Sequence, residues 1–257
     1  MLELAGRYWR VFATGTSFAA FGIAGLLLGV FVFPLLQLLV WRRARQISAA
    51  RTIIRLTLRA FVGLMHLLGV LRYEIIGLDR LERGGLLILA NHPTLIDTVF
   101  LMAFVKRADC IVKSDLLRNP FTGGPARAAG YISNEHGAQL MDACIGSLRA
   151  GNNLIVFPEG TRTPLGGIVS MKRGAANIAV RGARAVTPVL IECHPPTLGK
   201  GDKWWRVPAS LMRFRIEVKD DIEVDRFRAQ ASSDVMAARH LNQHLEHYFT
   251  EENRRHA

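Results

Sequence analysis

Three regimes of polarity follow one another along the chain. From Val11 to Trp41, 31 consecutive positions carry no charged residue. From Arg42 to Arg72 apolar positions are interrupted by seven arginines and no acidic residue. From Tyr73 onward, short apolar runs alternate with stretches of helical period, the signature of strands exchanging with helices. "YEIIGL", "GLLILA" (Gly85–Ala90), "CIVKS", "GYIS", "NLIVF" and "VTPVLIEC" read as strands. "LMRFRIEVKDDIEV" reads as edge strands. "TLIDTVFLMAFV", "AQLMDACIGSLRAG" (ending at Gly151), "AANIAVRGA" and "SDVMAARHLNQHLEHYFTEE" (N-capped by Ser233) read as helices. This alternation predicts an α/β fold, a mixed sheet flanked by helices.

The first regime sets the class. As one helix the uncharged run is ~46 Å long, more than the ~20 residues a bilayer core requires. It is too long for the apolar part of a cleaved leader and has no small-residue cleavage site. An N-terminal membrane-inserted helix is expected, and Pro34 leaves both a tilted span and a re-entrant hairpin over 11–41 open. The arginines that follow supply more than half of the net charge of +12 (pI ≈ 10.4). By the excess of positive charge on the cytoplasmic side, they put the rest of the chain in the cytoplasm, at the inner membrane. Arg51, Arg55 and Arg59 recur every four residues beside Ile54, Leu58, Phe61, Met65 and Leu68. They predict an amphipathic helix whose basic face lies on anionic headgroups; a solvated face on an ordinary core helix is the alternative. The organisation expected is an anchor over 1–50, a basic interfacial helix over 51–72 and a catalytic domain over 73–257.

Nucleic acid is disfavoured, because the basic residues adjoin the apolar segment and carry no interleaved aromatic platform. The three cysteines are widely spaced, so they form neither a disulfide framework nor a zinc site, and no metal is expected. Cys193-His194 would point to opposite faces of a strand and is disfavoured as a nucleophile site. His240, His244 and His247 fall on one face of the last helix without any supporting ligand. Lys200, Lys203, Trp204 and Trp205 mark a loop that rests at headgroup level or packs on the core. No phosphate-binding glycine motif calls for a nucleotide cofactor.

Two strand ends break the apolar pattern. After Gly85–Ala90 come Asn91, His92 and Pro93, the proline where a first helical residue is expected, and then Asp97. Five residues along an ideal helix separate side chains by ~140°, too far for 92 and 97 to meet. With His92 in the turn before the helix, its ring folds toward Asp97, which fixes the tautomer and leaves the other nitrogen free as a base. At the second end, "NLIVF" runs into "PEGTRT": Glu159 and Arg162 flank Gly160, whose bare backbone admits a ligand. Arg162 offers a planar fork to a phosphate or carboxylate. Lys172 and Arg173 stand at a helix N-terminus, a second place suited to an anion.

In this order, "HPTLID", "FPEGTR", "KRGA" and "VTPVLI" resemble the blocks of the glycerolipid acyltransferase family, over roughly residues 70–220. The resemblance implies an O-acyltransferase that takes a fatty acyl group from acyl carrier protein or coenzyme A and places it on a lysophospholipid such as 1-acylglycerol-3-phosphate. His92 would be the general base and Asp97 its orienting partner, the acyl group passing directly without an acyl-enzyme. Glu159, Gly160, Thr161 and Arg162 would hold the acceptor head group, and Lys172 and Arg173 would also bind substrate. The thioester is a co-substrate and no cofactor is implied; the partners are membrane lipids and the acyl carrier. "GYISNEH" departs from the family, with His136 where an arginine is expected to meet the acceptor phosphate. Neutral imidazole is a poorer phosphate ligand than guanidinium, so another lipid acceptor (a lyso-ornithine lipid, a glycolipid or a polyene-type lipid) is the alternative. A catalytically silent membrane-binding relative is a further one.

Overall fold

A computed structural model describes residues 2–137, 139–163 and 170–255; the side chain of His136 lies outside the described residues. In chain order the helices are α1 (Leu2–Leu27), α2 (Phe33–Leu39), α3 (Arg43–Leu67), α4 (Asp97–Phe104), α5 (Ser114–Arg118), α6 (Gly123–Ala128), α7 (Gln139–Arg149), α8 (Gly174–Gly182), α9 (Asp225–Ala229) and α10 (Asp234–Arg255). The strands are β1 (Leu71–Ile76), β2 (Leu87–Ala90), β3 (Ala108–Val112), β4 (Ile132–Ser133), β5 (Asn153–Val156), β6 (Ala185–His194), β7 (Met212–Val218) and β8 (Ile222–Glu223). The expected mixed α/β sheet is present. Its strand order is β1-β7-β6-β2-β5-β3-β4, with β8 added to β6. β6 runs antiparallel to β7 and β8, and the remaining ladders are parallel.

Side-chain alternation along the strands divides the core in two. Ile88, Ala90, Ile155, Val189 and Ile191 face a layer built from α1, α3 and α4, with Phe61, Met65, Phe100 and Leu101. Leu87, Leu89, Leu154, Val156 and Leu190 face the opposite layer, built from α7, α8 and α10, with Cys144, Ala176, Leu241 and Phe249. β2 is buried at every position, as a central parallel strand covered on both faces must be. α7 stops where the sequence indicates. Gly151 takes φ +76°, the Gly151 amide donates to Leu148 O and the Asn152 amide to Ser147 O, the paired bonds of a glycine-terminated helix.

The N-terminal segment is a helical hairpin that differs in detail from expectation. α1 and α2 are continuous through a π-helical turn at Leu28–Val32, which accommodates the missing amide of Pro34 at the start of α2. The reversal comes after Leu39, and α3 then packs back along α1 with Phe21 and Phe61 5.2 Å apart. Because α3 is unbroken from Arg43 to Leu67, the expected boundary at 50/51 falls inside a helix.

The basic stripe also divides. Arg51 is buried; its Nη2 meets Asp109 at 2.7 Å, and its Nε donates to Ala129 O at 2.9 Å. Asp109 also accepts from Ser147 Oγ and the Cys110 amide. Only Arg59, exposed, with its guanidinium 5.4 Å from the Phe104 ring, and the half-buried Arg55 remain of the proposed headgroup-facing row. β7 is a second correction, since it lies inside the sheet between β1 and β6 instead of at an edge. Its strict alternation suits a strand with one face on the core, which does not distinguish edge from interior.

Removing Arg51 leaves Asp109 charged and buried without its cation. Arg51→Ala is expected to cost about 3–5 kcal/mol in chemical unfolding of the detergent-solubilised chain. Arg51→Ala/Asp109→Ala should recover part of that loss, and equal stabilities for the native chain and Arg51→Ala would refute the assignment.

Candidate active site

Both disrupted strand ends lie on one edge of the sheet because β2 and β5 pair in parallel, Leu89 opposite Val156. β2 is extended by a side chain: Asn91 Nδ2 donates to Ile191 O at 2.9 Å, and Asn91 Oδ1 accepts from the Ile191 amide at 2.7 Å. That pair mimics one further rung of the β2–β6 ladder and fixes where the chain leaves the sheet. The chain then turns through residues 92–96, and helix α4 begins at Asp97. Pro93 is therefore four residues ahead of the helix, in the turn, and not at its first position.

His92 Nδ1 and Asp97 Oδ2 are 2.9 Å apart, the juxtaposition expected from the sequence. Asp97 is wholly buried, while the His92 side chain keeps 18% exposure. The imidazole stacks on Phe157, ring centroids 4.3 Å apart and planes at 25°. Asp97 Oδ2 also accepts from the Thr94 amide at 2.6 Å, and Oδ1 from Thr94 Oγ1 at 2.5 Å. The carboxylate is thus held on two sides before it meets the histidine. Burial pushes the Asp97 carboxyl up from its usual range, and the bonds from His92 and Thr94 oppose that rise.

The second strand end closes onto the first. The Thr163 amide donates to His92 O at 2.8 Å, and the His92 amide faces Thr163 Oγ1 at 3.1 Å and Glu159 Oε1 at 3.3 Å. Thr163 Oγ1 donates to Glu159 Oε1 at 2.6 Å. Glu159 is buried, and burial raises its carboxyl against the pull of Thr163 and His92. Glu159 thus braces the backbone of the histidine turn. Arg162 makes no ion pair with it; Nη1 donates instead to Leu198 O at 2.9 Å and Gly199 O at 2.6 Å. One edge of the guanidinium is anchored by the 198–199 loop, which also receives the Leu95 amide at Leu198 O. Among the described residues, the Nε and Nη2 edge has no hydrogen-bond partner.

Gly160 takes φ +67°, and a Cβ there would lie 2.9 Å from Cε and Nζ of Lys172. The bare backbone expected to admit a ligand therefore also admits the Lys172 side chain. Thr161 is exposed on the turn, and Arg173 is exposed at the N-cap of α8. The sequence-derived residues His92, Asp97, Glu159 and Lys172 converge; Thr94, Phe157 and Thr163 were not anticipated. Thr94 had a signal, since T-x-x-D is a capping-box spacing in which the acidic residue reaches back to an amide three residues earlier.

Cys193 is held at Pro195 O with its thiol pushed up to about 12, first by burial and then by the charge of Asp97. A neutral thiol is a poor nucleophile, in keeping with the sequence reading. On the last helix His244 meets Arg226 and His247 meets Glu251, so their rings are drawn to separate partners. Trp204 packs on the N-terminal helix beside Gly15 and Phe18, while it and Trp205 remain exposed.

Glu159→Gln retains an acceptor for Thr163 and the His92 amide while removing a buried charge. A carboxyl raised by the fold destabilises the native state above its folded pKa, and that cost vanishes as pH falls below the ordinary glutamate range. Thermal unfolding should therefore show Glu159→Gln equal to or more stable than the native chain at pH 8, the gap closing on acidification. A variant less stable at pH 8 than at pH 5, relative to native, would contradict this.

The family described as Acyltransferase matches residues 72–192, a span that contains both strand ends. A 1-acyl-sn-glycerol-3-phosphate acyltransferase of Pseudomonas aeruginosa is 28% identical over 171 residues, covering 63% of this chain and 62% of that protein. A protein of the same name from Helicobacter pylori is 32% identical over 117 residues, 43% of this chain and 49% of its own length. This chain thus spans less than two thirds of the length of these relatives. The crystal structure of the 1-acyl-sn-glycerophosphate (LPA) acyltransferase PlsC from Thermotoga maritima superposes with a TM-score of 0.68 at 19% identity, over 95% of this chain and 98% of that one, and so shares the fold. The matched segment and the motif blocks agree in likening the chain to the glycerolipid acyltransferases, and it shares the fold of a 1-acyl-sn-glycerophosphate acyltransferase.

Proposed function

We propose that the chain is a membrane-mounted O-acyltransferase that esterifies the free hydroxyl of a 1-acylglycerol-3-phosphate-like lysolipid from an acyl thioester. The observation that carries this reading is the His92–Asp97 contact at 2.9 Å, with Asp97 fully buried and His92 partly open beside a second, basic strand end. Asp97 holds the Nδ1 proton, so Nε2 is the basic nitrogen. The acceptor hydroxyl gives its proton to Nε2 as its oxygen bonds the thioester carbonyl carbon. The C–S bond then breaks, and the leaving sulfur takes the proton from the imidazolium, whose charge Asp97 stabilises. The Nε and Nη2 edge of Arg162, without a partner among the described residues, suits the acceptor phosphate, as bidentate guanidinium does. The curated relatives whose names specify 1-acyl-sn-glycerol-3-phosphate support this acceptor class.

The mount follows from packing. Gly6–Leu39 has a mean hydropathy of 2.4, and only 6% of its apolar window is buried. Yet this helix touches the folded domain along its length: Trp9 Nε1 donates to Leu68 O, Gly15 meets Trp204, and Gly29 meets Gly124. These contacts hold the apolar helix against the domain, so a helix that enters a bilayer would bring the domain to the membrane surface. Leu95 in the histidine turn and Phe121, Trp204 and Trp205 are exposed apolar groups that join this side. The inner leaflet facing the cytoplasm is the location that the arginine excess after Trp41 supports.

His136 in place of an arginine favours a second reading, an acceptor without a phosphate monoester. Thioester-dependent acylation by the purified full chain, over a panel of lyso-lipids, separates the two. His92→Ala and Asp97→Asn are expected to lower the rate by roughly 10²–10⁴-fold at unchanged fold, the range of general base catalysis. Full activity in His92→Ala sinks the mechanism; turnover confined to phosphate-free acceptors selects the second reading.

A further inference from the structure

The basic residues beside the site do not all point at the lipid. Met171 and Arg173 ahead of α8 and Arg239, Asn242, Gln243 and Glu246 on α10 line a polar cleft of about 290 Å³. Arg173 and Arg239 are both exposed, and neither guanidinium has an acidic partner among the described residues. The one carboxylate in the lining, Glu246, is engaged at Oε1 by the Met171 amide at 2.9 Å, and Asn242 Nδ2 reaches Met171 O at 3.4 Å. Those two bonds fix the floor of the cleft and leave an excess of positive charge at its mouth. Two forks from different helices over a rigid floor suit a phosphate.

The cleft connects with the reaction centre through one residue. The Lys172 amide donates to Pro158 O at 2.8 Å, and the Lys172 side chain lies over Gly160. A basic path therefore leads from the turn that braces His92 to Arg173 and Arg239. Its side of the sheet is decisive. Met171, α8 and α10 belong to the layer facing Leu87, Leu89 and Val156, whereas the apolar helix α1 belongs to the layer facing Ile88 and Ala90. A lysolipid held at α1 enters from one side of the sheet, and an anion at Arg173 and Arg239 comes from the aqueous side.

Resting on the acyl-transfer reading, we propose that this cleft binds a phosphate of the acyl donor's phosphopantetheine arm, the group that coenzyme A and acyl carrier protein share. The arm then crosses Lys172 and Gly160 and brings its thioester to His92. A lysolipid phosphate has the same chemistry, so the test measures both. Binding of coenzyme A, of acyl carrier protein carrying its phosphopantetheine, and of a short-chain 1-acylglycerol-3-phosphate is measured by calorimetry on the full chain in detergent. Arg173→Ala/Arg239→Ala is expected to weaken the carrier that the native chain binds by about tenfold, or ~1.4 kcal/mol. Lysolipid affinity stays unchanged, and Arg173→Lys/Arg239→Lys restores much of the carrier affinity. The proposal is overturned if neither carrier binds the native chain, if carrier affinity is unchanged in the double alanine variant, or if lysolipid affinity falls instead. Binding is read without turnover. Failure here thus leaves acyl transfer to be judged separately by the His92→Ala rate.

Discussion

The parallel pairing of β2 with β5 is the constraint on which the rest depends. Leu87, Ile88 and Leu89 register with Leu154, Ile155 and Val156, so two segments 67 residues apart leave the sheet level with one another. A slip of one residue would turn the alternating side chains to the wrong layers, and both faces are packed, so the register is strongly specified. Once it is set, Thr163 meets His92 by main-chain and side-chain bonds, and Glu159 braces the same turn. The histidine turn is then shaped by the neighbouring strand end as much as by its own sequence.

Within that frame the two buried carboxylates carry different loads. Asp97 accepts two bonds from Thr94 as well as the contact with His92. Glu159 has a hydroxyl and an amide on one oxygen. Burial raises both carboxyls, so ionising either of them comes at a cost to stability. Such a cost is common where geometry serves chemistry in preference to packing. The arrangement holds the imidazole in place: Asp97 meets its Nδ1 and Phe157 supports its plane.

Much of this was legible in the sequence, and the exceptions share one physical origin. The strands and helices of the domain follow from periodicity, and His92 and Asp97 could be paired because a turn removes the angular conflict of helical spacing. A stripe of arginines at every fourth position does not reveal which one turns inward. Arg51 is drawn in by Asp109, 58 residues away, and no local pattern announces that partner. Arg162 stands three residues from Glu159, yet carbonyls of the 198–199 loop hold it. Thr163 is likewise a small polar residue whose role comes from the strand beside it. Local chemistry was readable; long-range selection among similar residues was not.

The same reasoning connects the apolar helix to the site. A Cβ on Gly25 would approach Phe121 O to 2.1 Å, and one on Gly124 would approach Gly29 Cα to 2.6 Å, so helix and domain touch backbone to backbone. Small residues permit that distance, as they do between helices in membranes. The outward side of the helix keeps Phe12, Ile23, Phe31, Leu35 and Leu38 exposed, while Phe33 is buried with Ala50, Ile54 and Ala129. One face is cut to fit the domain and the other is apolar and exposed. Arg51 at 2.7 Å from Asp109 then locks the returning helix to β3, the strand beside β5. The apolar segment is thereby part of the scaffold that orients the histidine turn.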